Sequence, residues 1–257
     1  MNQLKLFCTT LLLISSITAS AIAPVGKVFI YKKSNFDDSN EGNIAVYYRS
    51  ANELESFKWR TSNNSATVVR AVIDPETLNV ISFEAYRLRA DGTKIPGAEL
   101  TQINAKEVKG SMGEHSLELS IDGIKWHSYD FDFASLAYAY RFLKNKENGF
   151  TFDIVDIDFS QDKPELKRFG QVSMEYSATK MRDGKPVLEF TIDGPGLDNR
   201  GGMIWFDAET HTMTELKIKK PDESGYDSNK MQLVAHLDVK EEQWQAFKRN
   251  ELNSGSR

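Results

Sequence analysis

Cysteine is almost absent from this sequence: the chain of 257 residues contains one, Cys8, close to its N-terminus. The polypeptide beyond Cys8 therefore has no disulfide, no thiol nucleophile and no cysteine ligand for a metal. Eukaryotic secreted domains of this size more often carry disulfides. The lack of cysteine therefore favours a bacterial exported protein.

Long hydrophobic segments are also absent, with one exception at residues 6–19. This segment follows Lys5 and precedes small residues in an A-x-A pattern that ends at Ala21, an arrangement typical of a secretory signal peptide. It is shorter than the ~20 apolar residues that a membrane-spanning helix needs. We expect a signal peptide at residues 1–21 and a soluble mature chain that does not span the membrane and is periplasmic or, alternatively, extracellular.

Charges of one sign do not cluster: 32 basic and 37 acidic residues are mixed along the chain, with a formal net charge of −5. A protein that binds nucleic acid usually carries a basic stripe, so we expect no nucleic-acid partner. Catalytic and metal-binding motifs are lacking too, since the four histidines are not spaced as metal ligands and there is no G-x-S-x-G motif. We therefore expect no metal, no cofactor and no enzymatic activity.

What the sequence has in abundance is alternation of polar and apolar residues with a period of two. Turn signals such as Asp91-Gly92, Asp122-Gly123 and Asp183-Gly184 separate the alternating segments. Regular alternation predicts antiparallel strands with one face in water and the other buried. We count about ten to twelve strands in a single domain at residues 22–252, followed by a polar tail at residues 253–257 that we expect to be disordered.

The segment YDFDFASLAYAYRFL, Tyr129 to Leu143, interrupts this pattern, because it is apolar on almost every side at helical spacing. Asp132 is a suitable N-cap, and Asn148-Gly149 supplies a stop. A helix that is apolar all round must be covered on both sides. A second helix, about Lys240 to Leu252, is polar except for a narrow stripe and is typical of a surface helix.

The central segment contains the pattern D-x-x-S-L-x-Y-x-x-R, formed by Asp132, Ser135, Leu136, Tyr138 and Arg141. Together with the later GGMIWFDAETHTMTELKI, it resembles the half-barrel class of exported bacterial proteins, which includes the outer-membrane lipoprotein carriers and uncharacterised periplasmic relatives. The resemblance covers roughly residues 123–239. It implies a highly curved sheet around an apolar hollow that accepts acyl chains.

The predicted fold is therefore mainly β: one strongly curved, half-barrel-like antiparallel sheet around a central apolar helix, with a C-terminal surface helix. Aromatic side chains cluster on this helix and on the strands expected to face it, and one arginine accompanies them. Such walls are typical of small apolar pockets. The candidate ligand-binding residues are Trp126, Tyr129, Phe133, Tyr138, Tyr140, Arg141, Phe142 and Trp205.

The function that we predict is non-enzymatic binding of a lipid-like apolar or amphiphilic ligand, or of a partner protein in the cell envelope. Arg141 would meet an anionic group, because an arginine on an apolar helix needs an acidic partner or an anionic ligand. One alternative is an envelope scaffold with a filled aromatic core. Another is a hydrolase of envelope polymers that uses Asp156 and Asp158, although a bulge near Val155 would turn both carboxylates to water. A metal site formed by His127 with the nearby Asp130 and Asp132 is a further alternative.

Overall fold

The computed structural model of this chain describes residues 24–129, 133–219 and 225–254. The predicted signal peptide, the predicted N-cap Asp132 and residues 255–257 of the predicted tail lie outside the described residues. Within them, no helix combines the length and hydrophobicity that a membrane span requires.

The alternating segments form one sheet, which has fifteen strands within the described residues. The strands are β1 Lys27–Ser34, β2 Gly42–Tyr48, β3 Glu53–Trp59, β4 Ser65–Ile73, β5 Val80–Arg89, β6 Lys94–Asn104, β7 Glu107–Met112, β8 His115–Ser120, β9 Trp126–His127, β10 Phe150–Asp158, β11 Glu165–Arg182, β12 Lys185–Asp193, β13 Gly202–Asp207, β14 Met213–Ile218 and β15 Asn229–Asp238.

From the middle of the sheet, β1 to β8 follow one another toward one edge, and β15 back to β9 follow one another toward the other edge. The first and last strands, β1 and β15, pair at the centre, and β8 and β9 form the two edges. Neighbours are antiparallel except β9 and β10, which are parallel. The sheet is open and curled, as predicted, and it has more strands than the ten to twelve expected from the alternation.

A short helix, α1 (Ala134–Tyr140), lies on the concave face, and all seven of its residues are buried. The ring of Tyr138 packs edge-on against Tyr48 of β2, with 4.5 Å between the centroids. The ring of Tyr140 stacks on Phe206 of β13 at 3.8 Å. The helix therefore contacts both halves of the sheet, β1–β8 and β9–β15, which confirms the predicted central helix.

This helix is shorter than predicted, since it ends at Tyr140 and not at about Leu143. The side chain of Lys146 folds back over its C-terminus and donates hydrogen bonds to the carbonyl oxygens of Arg141 and Leu143, both at 2.6 Å. A cation that binds the last carbonyls stabilises a helix end. Burial, together with the nearby Arg141, lowers the pKa of Lys146 to about 8.

The convex face of β1–β5 is covered by the second helix, α2 (Glu241–Ser254). Its apolar stripe, Trp244, Phe247 and Leu252, packs on this face as predicted, with Trp244 stacked on Tyr47 at 5.3 Å. The sheet thus has two apolar layers, one around α1 and one under α2.

A buried cluster of charges fixes α2 to the sheet. Lys248 of α2 forms an ion pair with Glu55 of β3, and both side chains are almost completely buried. Glu55 also accepts hydrogen bonds from Trp244 Nε1 at 2.8 Å and from Arg70 Nε at 2.7 Å. Burial alone would raise the pKa of Glu55, but Lys248 and Arg70 outweigh it and hold the pKa below its usual value.

A buried histidine lies beside α1. His127 of β9 is fully buried, and its Nδ1 lies 3.3 Å from the hydroxyl oxygen of Ser135. Because burial disfavours the charged imidazolium, the pKa of His127 falls from 6.5 to about 3. The ring is therefore neutral in the folded protein at any pH near neutrality.

Replacing Lys248 with Met should lower the free energy of unfolding by about 2 to 4 kcal/mol, because it removes a charge partner from a buried carboxylate. Urea denaturation at neutral pH measures this value. The matched control is Arg249→Met, one position along the same helix at an exposed site, which should change it by less than about 0.5 kcal/mol. Equal effects of the two substitutions would contradict the role given to the Glu55–Lys248 pair.

The neutral state of His127 predicts acid sensitivity. Below pH 6.5 the unfolded chain binds a proton at this residue that the folded protein does not, so the free energy of unfolding falls as the pH falls toward 3. Between pH 7 and pH 5 this group should account for a loss of about 2 kcal/mol. Urea titrations at both pH values measure this loss. His127→Gln should abolish the part of the loss that His127 causes, whereas the control His115→Gln, at an exposed site, should keep it. An unchanged pH dependence in His127→Gln would contradict a buried neutral ring.

Candidate functional site

The sheet divides between β14 and β15. Residues Glu215 to Ile218 of β14 pair with residues Asn229 to Gln232 of β15. Beyond Gln232, residues 233–238 stay paired with β1 but have no β14 partner in the described residues. The two strands therefore separate, and a cleft opens between them.

The cleft has a volume of about 420 Å³. Its floor is formed by the buried side chains of Phe29, Arg141 and Thr212, and Lys185 and His236 are exposed at its rim. Phe29 and Leu233 supply apolar surface. Its described lining residues are Pro24, Lys27, Phe29, Arg141, Lys185, Asp207, Thr210, Thr212, Thr214, Leu233 and His236.

Arg141 follows directly after α1, which carries it to the point where the strands separate. Its side chain is 6% exposed. One terminal guanidinium nitrogen lies 3.5 Å from Thr212 Oγ1, and the guanidinium carbon lies 5.4 Å from the ring centroid of Tyr48. Its Nε is buried without a hydrogen-bond partner among the described residues.

Arg141 makes no ion pair with any carboxylate in the described parts of the chain, in contrast to the buried Lys248. A buried charge without a partner is costly, and proteins seldom keep one without a use. The planar guanidinium presents donors that suit a carboxylate or phosphate. The floor of the cleft therefore carries hydrogen-bond donors of a kind that suits an anionic group.

No described carboxylate of the lining forms an ion pair with this guanidinium. Lys27 and Lys185 add positive charge, although Lys27 lies 3.6 Å from Asp238 in an ion pair. The acidic Asp207 directs Oδ1 to its own turn, where it accepts hydrogen bonds from the backbone amides of Glu209 at 3.1 Å and Thr210 at 2.7 Å. The cleft therefore has a positive floor.

Six of the predicted site residues form the packed interior around α1. Tyr129 packs edge-on against Phe133 at 4.7 Å, and Tyr138 against Phe142 at 5.7 Å. Trp126 donates from Nε1 to Gln102 at 3.1 Å. These side chains and Tyr140 contact one another or the sheet. Of the eight predicted residues, Arg141 lines the cleft, and the other seven are not among its lining residues.

The prediction for Trp205 needs correction, because its side chain does not face the helix. In β13, Ile204 and Phe206 belong to the concave core, so Trp205 between them points to the opposite face. There Trp205 Nε1 donates to Glu189 at 2.8 Å, and the guanidinium of Arg182 lies 4.1 Å from its ring centroid. The period of two in β13 explains this orientation.

The two carboxylates of the hydrolase alternative, Asp156 and Asp158, have different described partners. The register of β10 shifts between Ile154 and Val155, as predicted. Both carboxylates are half-buried and hydrogen-bonded, which corrects the expectation that they face open water. Asp156 accepts from the hydroxyl of Ser128 at 2.8 Å, whereas Asp158 pairs with Lys167 at 2.7 Å.

The metal alternative at His127 has no set of ligands in the residues that the structure describes. They contain no group of three His, Cys, Asp or Glu side chains that could hold a metal ion. Asp130 and Asp132, the carboxylates named with His127 in that alternative, lie outside the described residues.

Most residues of the cleft were not predicted from the sequence. Phe29, Thr212, Leu233 and His236 come from three distant segments, and no local motif joins them. The signal that the sequence did carry was the single arginine on an apolar helix. That arginine is Arg141. The other residues of the cleft could not be predicted, because the cleft forms where β14 and β15 separate.

No known family model matches this sequence, and no curated protein matches it. The chain is similar to a solved structure from Brucella abortus, a β-barrel-like protein of a domain of unknown function, DUF1849. The similarity covers 84% of this chain and 98% of that one, at 10% sequence identity and a TM-score of 0.47.

Proposed function

We propose that this protein is a periplasmic, non-enzymatic binding protein for an amphiphile that carries one anionic group. The observation behind the proposal is Arg141, a buried cation that has no carboxylate partner in the described residues and lies on the floor of an open cleft. The anionic group would bind the guanidinium, with Thr212 close enough to contribute its hydroxyl.

The apolar part of the ligand would lie on Phe29 and Leu233, along the strand edge that β14 leaves open. A cleft of about 420 Å³ is at the small end of the usual range for ligand sites. This favours a single short acyl chain or one end of a longer molecule. The ligand would occupy the cleft and not the aromatic interior, which packing fills.

That filled interior supports a second candidate, an envelope scaffold that binds a partner protein and no small ligand. Ring contacts as close as 3.8 Å, between Tyr140 and Phe206, leave no space between these two side chains. The hydrolase alternative has less support, because Asp156 and Asp158 bind different partners.

The first experiment is native mass spectrometry of the protein, purified without detergent from the periplasm of its host. A reproducible additional mass that organic solvent removes would favour the binding protein. If the measured mass is that of the protein alone, both before and after incubation with laurate, the result would contradict the binding protein and favour the scaffold.

Titration with laurate and with neutral dodecanol tests the role of Arg141. Arg141→Met should weaken laurate binding about tenfold or more, because a charge-assisted hydrogen bond is lost. Dodecanol binding should change little. Lys144→Met, an exposed site three residues away, is the matched control and should leave laurate binding unchanged.

The same Arg141→Met variant should not lose stability. Because the arginine has no carboxylate partner among the described residues, its free energy of unfolding should be unchanged or about 1 kcal/mol higher. Urea denaturation checks this. A clear loss of stability with unchanged laurate affinity would make Arg141 a structural residue and contradict the proposal.

A further inference from the structure

A second cleft lies at the other end of the central strand β1. Lys27 and Phe29, near the start of β1, line the first cleft, whereas Lys33, near its end, lines the second. The second cleft has a volume of about 290 Å³. Apart from Tyr226, its lining residues come from β1 to β5 and from the loop between β3 and β4, all at one end of these strands.

Cations on the concave face point into this cleft. Lys58 is the register partner of Ile44, whose side chain belongs to the concave core. Thr67 is the partner of Lys58, and Arg87 is the partner of Thr67. Because residues that are opposite one another share a face, Lys58, Thr67 and Arg87 form one row across the sheet. The concave face thus changes from apolar to basic toward this end.

Basic residues predominate in the described lining of this cleft. Lys33, Lys58, Arg60 and Arg87 line it, and none of its described lining residues is acidic. This differs from the chain as a whole, which has a net charge of −5. Arg60 and Arg87 come from separate segments of a net acidic protein, and their two charges raise the local potential.

Two of these cations, Lys33 and Arg60, lie against the same aromatic ring. Lys33 is 1% exposed, and its Nζ lies 4.7 Å from the ring centroid of Tyr226. The guanidinium carbon of Arg60 lies 5.4 Å from the same centroid. Neither Arg60 nor Arg87 makes an ion pair with a carboxylate in the described residues. These two guanidinium groups keep their donors available for a ligand.

The remaining lining is polar and suits a ligand that carries hydroxyl groups. Asn43, Asn63, Ser65 and Thr67 contribute amide and hydroxyl groups beside the cations. Amide and hydroxyl side chains both donate and accept hydrogen bonds, as sugar hydroxyls do. Apolar surface is scarce here, in contrast to the first cleft with Phe29 and Leu233.

We infer that this second cleft binds a phosphorylated sugar, with the phosphate on Arg60 and Arg87 and the sugar hydroxyls on the neighbouring amides and hydroxyls. Guanidinium groups bind phosphate oxygens in pairs of parallel hydrogen bonds. The site is separate from the Arg141 cleft and does not depend on the function proposed for it.

Isothermal titration with glucose 6-phosphate tests the inference, with glucose and inorganic phosphate as comparison probes. The sugar phosphate should bind more tightly than phosphate, glucose should not bind, and the affinity should fall as salt is added. Arg87→Met and Arg60→Met should each weaken binding about tenfold or more. Both positions are at least partly exposed, and circular dichroism checks that the variants fold.

Lys163→Met, at an exposed site in a different loop, removes the same charge and should leave the affinity unchanged. An equal loss in this control would mean a general effect of net charge and would overturn the inference. Phosphate binding as tightly as the sugar phosphate would overturn the sugar part of it, and no saturable binding of any probe would overturn all of it. Arg141→Met should bind glucose 6-phosphate normally, which separates this site from the first cleft.

Discussion

The architecture depends on the need to cover a helix that is apolar on every side. All residues from Ala134 to Tyr140 are buried, and a flat sheet could cover one side of such a helix only. Burial of each large side chain contributes about 1.5–3 kcal/mol, so the curled sheet gains stability by enclosing the helix. The contacts of Tyr138 with β2 and of Tyr140 with β13 hold together strands that are far apart in the sheet order.

The same helix explains why a cation lies inside the protein. Arg141 follows the last helical residue, so the helix fixes it at the place where β14 and β15 separate. Lys146 donates hydrogen bonds to the carbonyl oxygens of Arg141 and Leu143, just after the last helical residue. The interior around the helix is thus packed with side chains, and the two clefts lie at the ends of strands, where side chains reach water.

Alternation along the strands predicted much of this fold. Leu216 and Ile218 are buried in the concave core as the pattern indicates, and the shift in β10 occurs at Val155 as the change of parity indicates. Two strands with weak alternation, β1 and β6, were not among the segments that the alternation predicted. β6 has Pro96 and Gly97 in its first half, and β1 ends in Lys32-Lys33 although Lys33 is buried. The Glu55–Lys248 pair joins residues 193 positions apart, and the Arg141 cleft joins β1 to β15. Such contacts depend on the order of the strands, which local patterns do not contain.

The central claim is that the buried Arg141 binds an anion. A crystal structure of the protein soaked in bromide tests it most directly, because anomalous scattering locates the bromide ions. We expect a bromide ion on the floor of the cleft, in contact with the Arg141 guanidinium and near Thr212. An Arg141 side chain that is paired with a carboxylate of the protein, with no bromide beside it, would contradict an anion site at this residue.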